Sequence, residues 1–369
     1  MNQHLFNPEL GHPEIQKKIL HSIQSERLPH AFLFYGKEGT GKDAFAIEIA
    51  KLLNCEKGPL YICHKCPACI KISKQEHPDV KFVFPIPGSS NVKPEDIAEA
   101  LQEKSQNPYK RISFEGKTTF ISIDMIRELK YESKFKLYEG KKKVFIVSEA
   151  DRMRPEAANA LLKLLEEPPE NLMLILVSSQ IHRILPTIRS RSQLIHFAPL
   201  EGDAILKIVK KYTPQPPEHL ASLIRLALGN IKLAFDFMEE DILDRRNQAV
   251  DFLRKVVIIE KSHELLIQID KITASRDRRT MVLLLFFLLT WFHDAYHYKL
   301  SPDQKANFIN SDLASNIEGF VNGYPDADYP RVINYTQTAI DDLEDPRNLN
   351  PALIFTDLSI KLNRSIKPR

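Results

Sequence analysis

Gly36-Lys37-Glu38-Gly39-Thr40-Gly41-Lys42-Asp43 reads as a phosphate-cradling loop whose last position, where a metal-holding Ser or Thr hydroxyl is expected, carries an aspartate. Gly36, Gly39 and Gly41 allow the tight path that turns backbone N–H groups toward phosphate oxygens, and Lys42 adds a point charge for the terminal phosphates. Residues 30–35 upstream read as a buried strand. Residues 44–53 downstream carry apolar side chains at helical spacing, so the loop joins a strand to a helix as its mechanism requires. A carboxylate at position 43 has three readings. It repels a bound phosphate, by roughly 4 kcal/mol at about 4 Å and an effective dielectric of about 20, while replacing a neutral magnesium ligand. It suits the dipole of its own helix. Or it ligates magnesium directly as a hard oxygen donor.

The chain has 369 residues, more than a single core usually supports, so two or three domains are expected. Lys and Arg number 51 against 48 Asp and Glu, a net charge of +3 that is too small to indicate a nucleic-acid partner by itself. No cleavable signal pattern opens the chain, and the most apolar stretch, 281–289, is too short to span a bilayer. A soluble, cytoplasmic protein without a membrane partner is expected.

All four cysteines, Cys55, Cys63, Cys66 and Cys69, fall within 15 residues, with two overlapping C-x-x-C steps. Four thiolates close a tetrahedral zinc shell, and a closed shell is structural rather than catalytic. Free thiols or a redox pair are the alternatives, and His64 reads as a turn residue between ligands.

Residues 144–147 form a second short β-branched run, followed by Ser148-Glu149-Ala150-Asp151. In nucleotide hydrolases such a strand ends in Asp-Glu, the first orienting magnesium and the second activating water. Ser148 removes the metal-side carboxylate, whereas Glu149 retains a candidate base; helix capping by Glu149 and Asp151 is the other reading. Then come a helix stopped by Pro168 and Pro169, an apolar strand at 172–177 ending in Ser178-Ser179, the tripeptide Ser190-Arg191-Ser192 and a strand at 194–197.

The glycine-rich loop, the four-cysteine insert after its helix, the block 159–169 and Ser190-Arg191-Ser192 together resemble bacterial DNA polymerase III clamp-loader subunits of the AAA+ group, over about residues 7–240. The resemblance implies an α/β AAA+ core, a parallel sheet with flanking helices, over 1–199. That core includes the zinc insert (55–69) and a surface excursion at 80–120 that is longer than the family core needs. A small helical lid at 200–244, punctuated by Gly202, Pro214, Pro216 and Pro217, and an all-α collar at 245–369 complete it. By the same resemblance Arg191 is a finger that reaches a neighbour's nucleotide in trans, with a structural arginine as the alternative. By the resemblance Ser179 also matches the position that senses the terminal phosphate, with a helix or turn cap as the equal alternative, and Lys232 in Gly229-Asn230-Ile231-Lys232 stands where the second sensor often has arginine.

Asp43 and Ser148, together with the missing tau-like extension, make the chain similar to the delta-prime type rather than to catalytic gamma or tau, and Lys232 is a third weakening of the nucleotide site. The implied role is a mainly non-hydrolysing ring member of the DNA polymerase III holoenzyme. It works with gamma/tau-type and delta-type partners and, through the complex, with the sliding clamp and primed DNA. A catalytically active gamma-like ATPase is the alternative. An autonomous ATPase, and a zinc-dependent nucleic-acid module suggested by the cysteines and Lys141 to Lys143, are more distant ones. Zinc is the expected structural cofactor, and ATP with magnesium is left open. The run 283–289, apolar on every face, is expected to be buried all round.

Overall fold

The computed structural model describes residues 6–58, 60–88, 92–110, 112, 114, 117–213, 215–239, 242–258, 262–274, 277–303, 308–345 and 347–368. Pro214 and parts of the 80–120 segment (89–91, 111, 113, 115 and 116) therefore lie outside the described residues. Two compact units are present, one reaching Pro216 and including Gly229–Phe235, the other made of Pro217–Leu228 and Asp236 onward.

The first unit is built on a parallel sheet. Its strands in chain order are β1 (Ala31–Tyr35), β2 (Val80–Val83), β5 (Lys143–Val147), β6 (Leu172–Ser178) and β7 (Gln193–His196), arranged β2-β5-β6-β1-β7. A separate antiparallel pair, β3 (Ile86–Pro87) with β4 (Thr119–Phe120), lies in the 80–120 segment. Phe32 pairs with both Ile175 and Gln193, so β1 is central between β6 and β7. Strands covered on both faces must be apolar throughout rather than alternating, and every residue of β5 and β6 is buried. The connection leaving β1 runs to β2 at one edge of the sheet and the one leaving β6 runs to β7 at the other, so a crevice opens at the carboxyl ends of β1 and β6, the usual ligand position in open α/β sheets.

The helices of this unit are α1 (Pro13–Gln24), α2 (Lys42–Asn54), α3 (Pro67–Ser73), α4 (Pro94–Gln106), α5 (Ile123–Glu132), α6 (Pro155–Glu166), α7 (Pro186–Ser190) and α8 (Gly202–Tyr212). Helices α5 and α6 bury Leu129, Leu161 and Leu165 against Leu33, Phe145 and Leu174 on one sheet face. On the other, Phe34 of β1 meets Phe45 of α2 edge-on at 6.0 Å. The stop of α6 follows from Pro168, whose ring disfavours helical geometry in the residue before it; Glu167 has φ −127° and ψ 65°. Helix α4 starts with Pro94 at its first turn, and the Asp96 carboxylate accepts the Lys93 N–H at 3.1 Å.

The second unit is helical, with α9 (Leu220–Leu226), the end of α10 (Ile231–Glu239), α11 (Ile242–Val257), α12 (Ser262–Ala274), α13 (Arg278–Leu300), α14 (Ala314–Gly323), α15 (Tyr329–Glu344) and α16 (Pro351–Ile366). Helix α13 is long and apolar enough to cross a bilayer, yet it packs against α11, α14 and α15. Within the run 283–289, Leu284, Leu285, Phe287 and Leu288 are buried, whereas Leu283, Phe286 and Leu289 are half-buried. The bundle itself thus covers one side of that run more fully than the other.

Candidate nucleotide cleft and metal centre

A cleft with about 140 Å³ of accessible space opens beside the loop that joins β1 to α2, bordered by Gly39, Lys42, Asp43, Glu149, Ser179 and Lys232. Pockets that hold drug-sized ligands usually measure roughly 300–1,000 Å³. Neighbouring segments press on the loop. Gly36 adopts φ 144°, and a Cβ there would come 2.2 Å from the Phe197 carbonyl oxygen. Gly39 adopts φ 71°, and its Cβ would lie 1.5 Å from the Asn230 side-chain oxygen. That oxygen caps α10 by accepting the Lys232 and Leu233 N–H groups at 3.0 and 3.1 Å, while the Ile231 N–H donates to the Gly39 carbonyl at 2.8 Å. Gly39→Ala is therefore expected to cost at least about 1–2 kcal/mol for left-handed backbone alone and to expel Asn230, read as a lower melting temperature in calorimetry.

Lys42 is buried, and its ammonium turns back onto the loop. It donates to the carbonyls of Gly36 (2.8 Å) and Lys37 (2.5 Å) and to the Thr40 hydroxyl (3.1 Å), which accounts for all three N–H groups. Burial lowers its pKa to about 8, against the opposing pull of Asp43. Lys232, the second-sensor candidate, pairs with Glu38 at 3.2 Å across the cleft rim.

Asp43 sits in the first turn of α2 and does not face solvent as a plain cap. Its Oδ1 accepts the Ser148 hydroxyl at 2.7 Å and its Oδ2 accepts the ammonium of Lys104 at 2.8 Å. Lys104 comes from α4, within the segment expected to be a surface excursion, and its side chain is only 2% exposed. Burial pulls Lys104 down and Asp43 counteracts it. For Asp43, burial opposes ionisation, but the Lys104 charge prevails and holds the carboxyl down at about 2. A folded-state value below the unfolded one means that ionised Asp43 favours the fold above the ordinary carboxylate range, a contribution lost as pH falls through about 2. The lowered pKa of Lys104 acts against it, so the pair as a whole contributes less than Asp43 alone. In an NMR titration the Asp43 carboxyl is expected to stay ionised at pH 3; a midpoint at 4 or higher would contradict the pairing.

Glu149 lines the cleft in left-handed geometry (φ 49°), with its carboxylate 3.0 Å from Nε of Arg152. Ser178, buried at the end of β6, donates to Oδ1 of Asp151 at 2.7 Å, and the Ser179 N–H donates to the same oxygen at 3.0 Å. The exposed Ser179 side chain borders the cleft, whereas the buried hydroxyl beside it is used internally. Arg191 does not border the cleft. It is partly exposed on the turn after α7, where its guanidinium meets Glu166 of α6 at 3.0 Å and the Thr187 carbonyl at 3.1 Å. The structure thus gathers Gly39, Gly41, Lys42, Ser179, Lys232 and Glu149 around one crevice; Gly36 lies against Phe197 and reaches the group only through its carbonyl, which accepts from Lys42, and Arg191 is left outside.

Lys104 and Tyr109 escaped sequence reasoning. Tyr109, also buried, packs over Gly41 and against Tyr212 at 5.8 Å. In the stretch 100–110 a lone lysine has no distinguishing spacing. The available signal was electrostatic, since an aspartate buried beside a phosphate loop requires a counter-cation.

The cysteine insert forms a second centre. The sulfurs of Cys55, Cys63, Cys66 and Cys69 lie within 4.8 Å of one another, compatible with arms of about 2.3 Å around one ion. The Cys63 N–H donates to the Cys55 sulfur at 3.4 Å and the Cys66 N–H to the Cys63 sulfur at 3.3 Å. Such second-layer bonds favour thiolates; with the Lys65 N–H foremost, they hold the Cys63 thiol down at about 6. The cluster can hold a metal ion. His64, in left-handed geometry at φ 55°, is a turn residue whose ring nitrogen lies 3.8 Å from Glu48. The lysine triplet is largely engaged internally. The Lys141 ammonium donates to the Cys55 carbonyl at 2.5 Å, and Lys143 donates to the carbonyls of Glu132 and Phe135 at 2.8 and 2.9 Å.

The profile of the family described as DNA polymerase III, delta subunit, matches residues 11–201. DNA polymerase III subunit delta' of Bacillus subtilis is 31% identical over 307 residues, 83% of this chain and 83% of its own. The delta' subunit of Pseudomonas aeruginosa is 28% identical over 279 residues, 75% of this chain and 74% of its own. The tau subunit of B. subtilis is 29% identical over 259 residues, 69% of this chain but 39% of its own. A crystallised gamma subunit-related protein of Thermotoga maritima superposes with a TM-score of 0.44 at 15% identity, covering 95% of this chain and 100% of that one. With the phosphate loop, the five-stranded parallel sheet and the cysteine cluster all inside the matched region, the chain belongs to the DNA polymerase III delta-subunit family.

Proposed function

We propose that the chain is a delta-prime-like member of the DNA polymerase III clamp-loader ring, hydrolysing little or no ATP itself and presenting Arg191 to the nucleotide site of a neighbouring gamma-type subunit. The observation that carries this reading is the corner of the cleft where a metal ligand is needed. Asp43 replaces the hydroxyl, Ser148 replaces the carboxylate, and the two are hydrogen-bonded to each other at 2.7 Å. Phosphoryl transfer relies almost entirely on positioning and charge stabilisation, so losing the metal side removes most of the catalysis. Arg191, a permanently charged planar fork on an accessible edge, has the chemistry to serve another chain's phosphates.

In this reading residues 200–244 act as the lid and 245–369 as the collar that joins subunits. Zinc is the structural ion of the four cysteines, the clamp and primed DNA are met through the complex, and the protein works in the cytoplasm. A gamma-like ATPase is the second reading, favoured by the Glu149 carboxylate that remains at the cleft. Phosphate release by the purified chain decides between them. The proposal expects none above a Lys42→Ala control, whereas hydrolysis abolished by Lys42→Ala establishes the gamma-like activity.

A further inference from the structure

A magnesium ion does not fit this cleft. It demands near-octahedral oxygen donors at about 2.0–2.1 Å and keeps several of its waters. Both oxygens of Asp43 are already engaged, one by the Ser148 hydroxyl and the other by the Lys104 ammonium, at 2.7 and 2.8 Å. A divalent ion in this corner meets the like charge of that ammonium, which already neutralises the one carboxylate that would attract the ion. Lys104 is not a side chain that drifts in from solvent. It is 2% exposed, held by Asp43 and by the Lys110 carbonyl at 3.1 Å, and its ammonium lies 5.7 Å from the Phe82 ring centroid. Those two hydrogen bonds use two of its three N–H donors, and the third has no acceptor among the described residues.

We infer that the ammonium of Lys104 is a built-in substitute for the divalent cation, so that the loop takes a nucleoside triphosphate free of metal. The segment between β2 and α5 then has a purpose: α4 delivers a fixed positive charge to the corner that α2 and β5 border. A single charge in place of two, already balanced by Asp43, makes the site weak and indifferent to magnesium. It also leaves no metal ion to hold the terminal phosphate in position for the water that the Glu149 carboxylate at the cleft would activate. Lys42, whose ammonium donates to the Gly36 and Lys37 carbonyls, turns outward to meet the phosphates.

The inference rests on reading the cleft as the nucleotide site. It is tested by titrating the full chain with a fluorescent ATP analogue, once in EDTA and once in excess magnesium. Equal affinity within about twofold is expected for the natural sequence. Lys104→Met is expected to weaken metal-free binding by about tenfold or more, with partial recovery in magnesium because Asp43 is released to ligate it. Since an unpaired buried aspartate threatens folding, the double change Asp43→Asn with Lys104→Met removes both charges together. It is expected to melt near the natural protein and to lose metal-free binding without recovery. Binding tenfold tighter in magnesium, absence of binding in EDTA, or metal-free binding unaltered by either variant overturns the inference. ATP hydrolysis by the chain alone overturns the non-hydrolysing reading instead, whatever the metal dependence of binding.

Discussion

Arg191→Ala, in a ring reconstituted with gamma-type and delta-type subunits, is expected to lower clamp- and DNA-stimulated ATP turnover at the dependent site by about 10³-fold or more, the range arginine fingers supply. The residue fits the task because α7 ends just before it and leaves the guanidinium on an exposed edge, outside the chain's own cleft. Glu166 holds it at 3.0 Å in the isolated chain. An exposed pair of this kind contributes about 0–1 kcal/mol, so exchanging Glu166 for a neighbour's phosphate meets little resistance. Arg191→Lys keeps the charge but not the planar fork and is expected to rescue only a small part of the loss. Assembly of the ring should be intact in both variants, measured by gel filtration. Unchanged turnover in the alanine ring would sink the finger assignment.

Cys69→Ser is expected to empty the cysteine cluster, from about one zinc per chain to almost none by metal analysis. Cys69 is fully buried at α3, and serine is a poor soft-ion ligand that leaves three thiolates and an open position. The insert is tied to the sheet through Lys141, whose ammonium reaches the Cys55 carbonyl, and through Asn54, whose side-chain oxygen accepts the N–H groups of Lys141 and Lys142 at 2.9 and 3.0 Å. Loss of the ion therefore propagates into the first unit. A cost on the order of 4 kcal/mol, or about 10 °C in melting temperature, is expected from loss of a structural metal in a unit of this size. A variant that still carries stoichiometric zinc, or a natural protein that carries none, contradicts the site. Arg191→Ala serves as the control that leaves zinc content unchanged.

Local elements were legible because their signals are local. The apolar run before the phosphate loop became β1, and the helical spacing after it became α2. The paired prolines stopped α6 as ring sterics require, and the C-x-x-C steps converged as turn geometry requires. The order β2-β5-β6-β1-β7 was not legible from strand composition, since interchangeable Val, Ile and Leu runs carry no address. The family resemblance implied a parallel sheet, and only the tertiary structure supplied the order of its strands. The same limit hid the internal use of Lys143, which ends a basic triplet that suggested a nucleic-acid contact and is instead buried against two carbonyls.

Asp43 marks the boundary between the two kinds of information. The sequence by itself determined that a carboxylate stands where the phosphate loop needs a hydroxyl, that the next strand ends in serine, and that four thiols can close on one ion, because each is a matter of residue type at short spacing. Only the tertiary structure decided what the carboxylate does. Its partner Lys104 lies 61 residues away on another helix, brought to 2.8 Å by the packing of α4. A buried charge takes its meaning from whichever opposite charge the fold places beside it, and no periodicity along the chain encodes that choice.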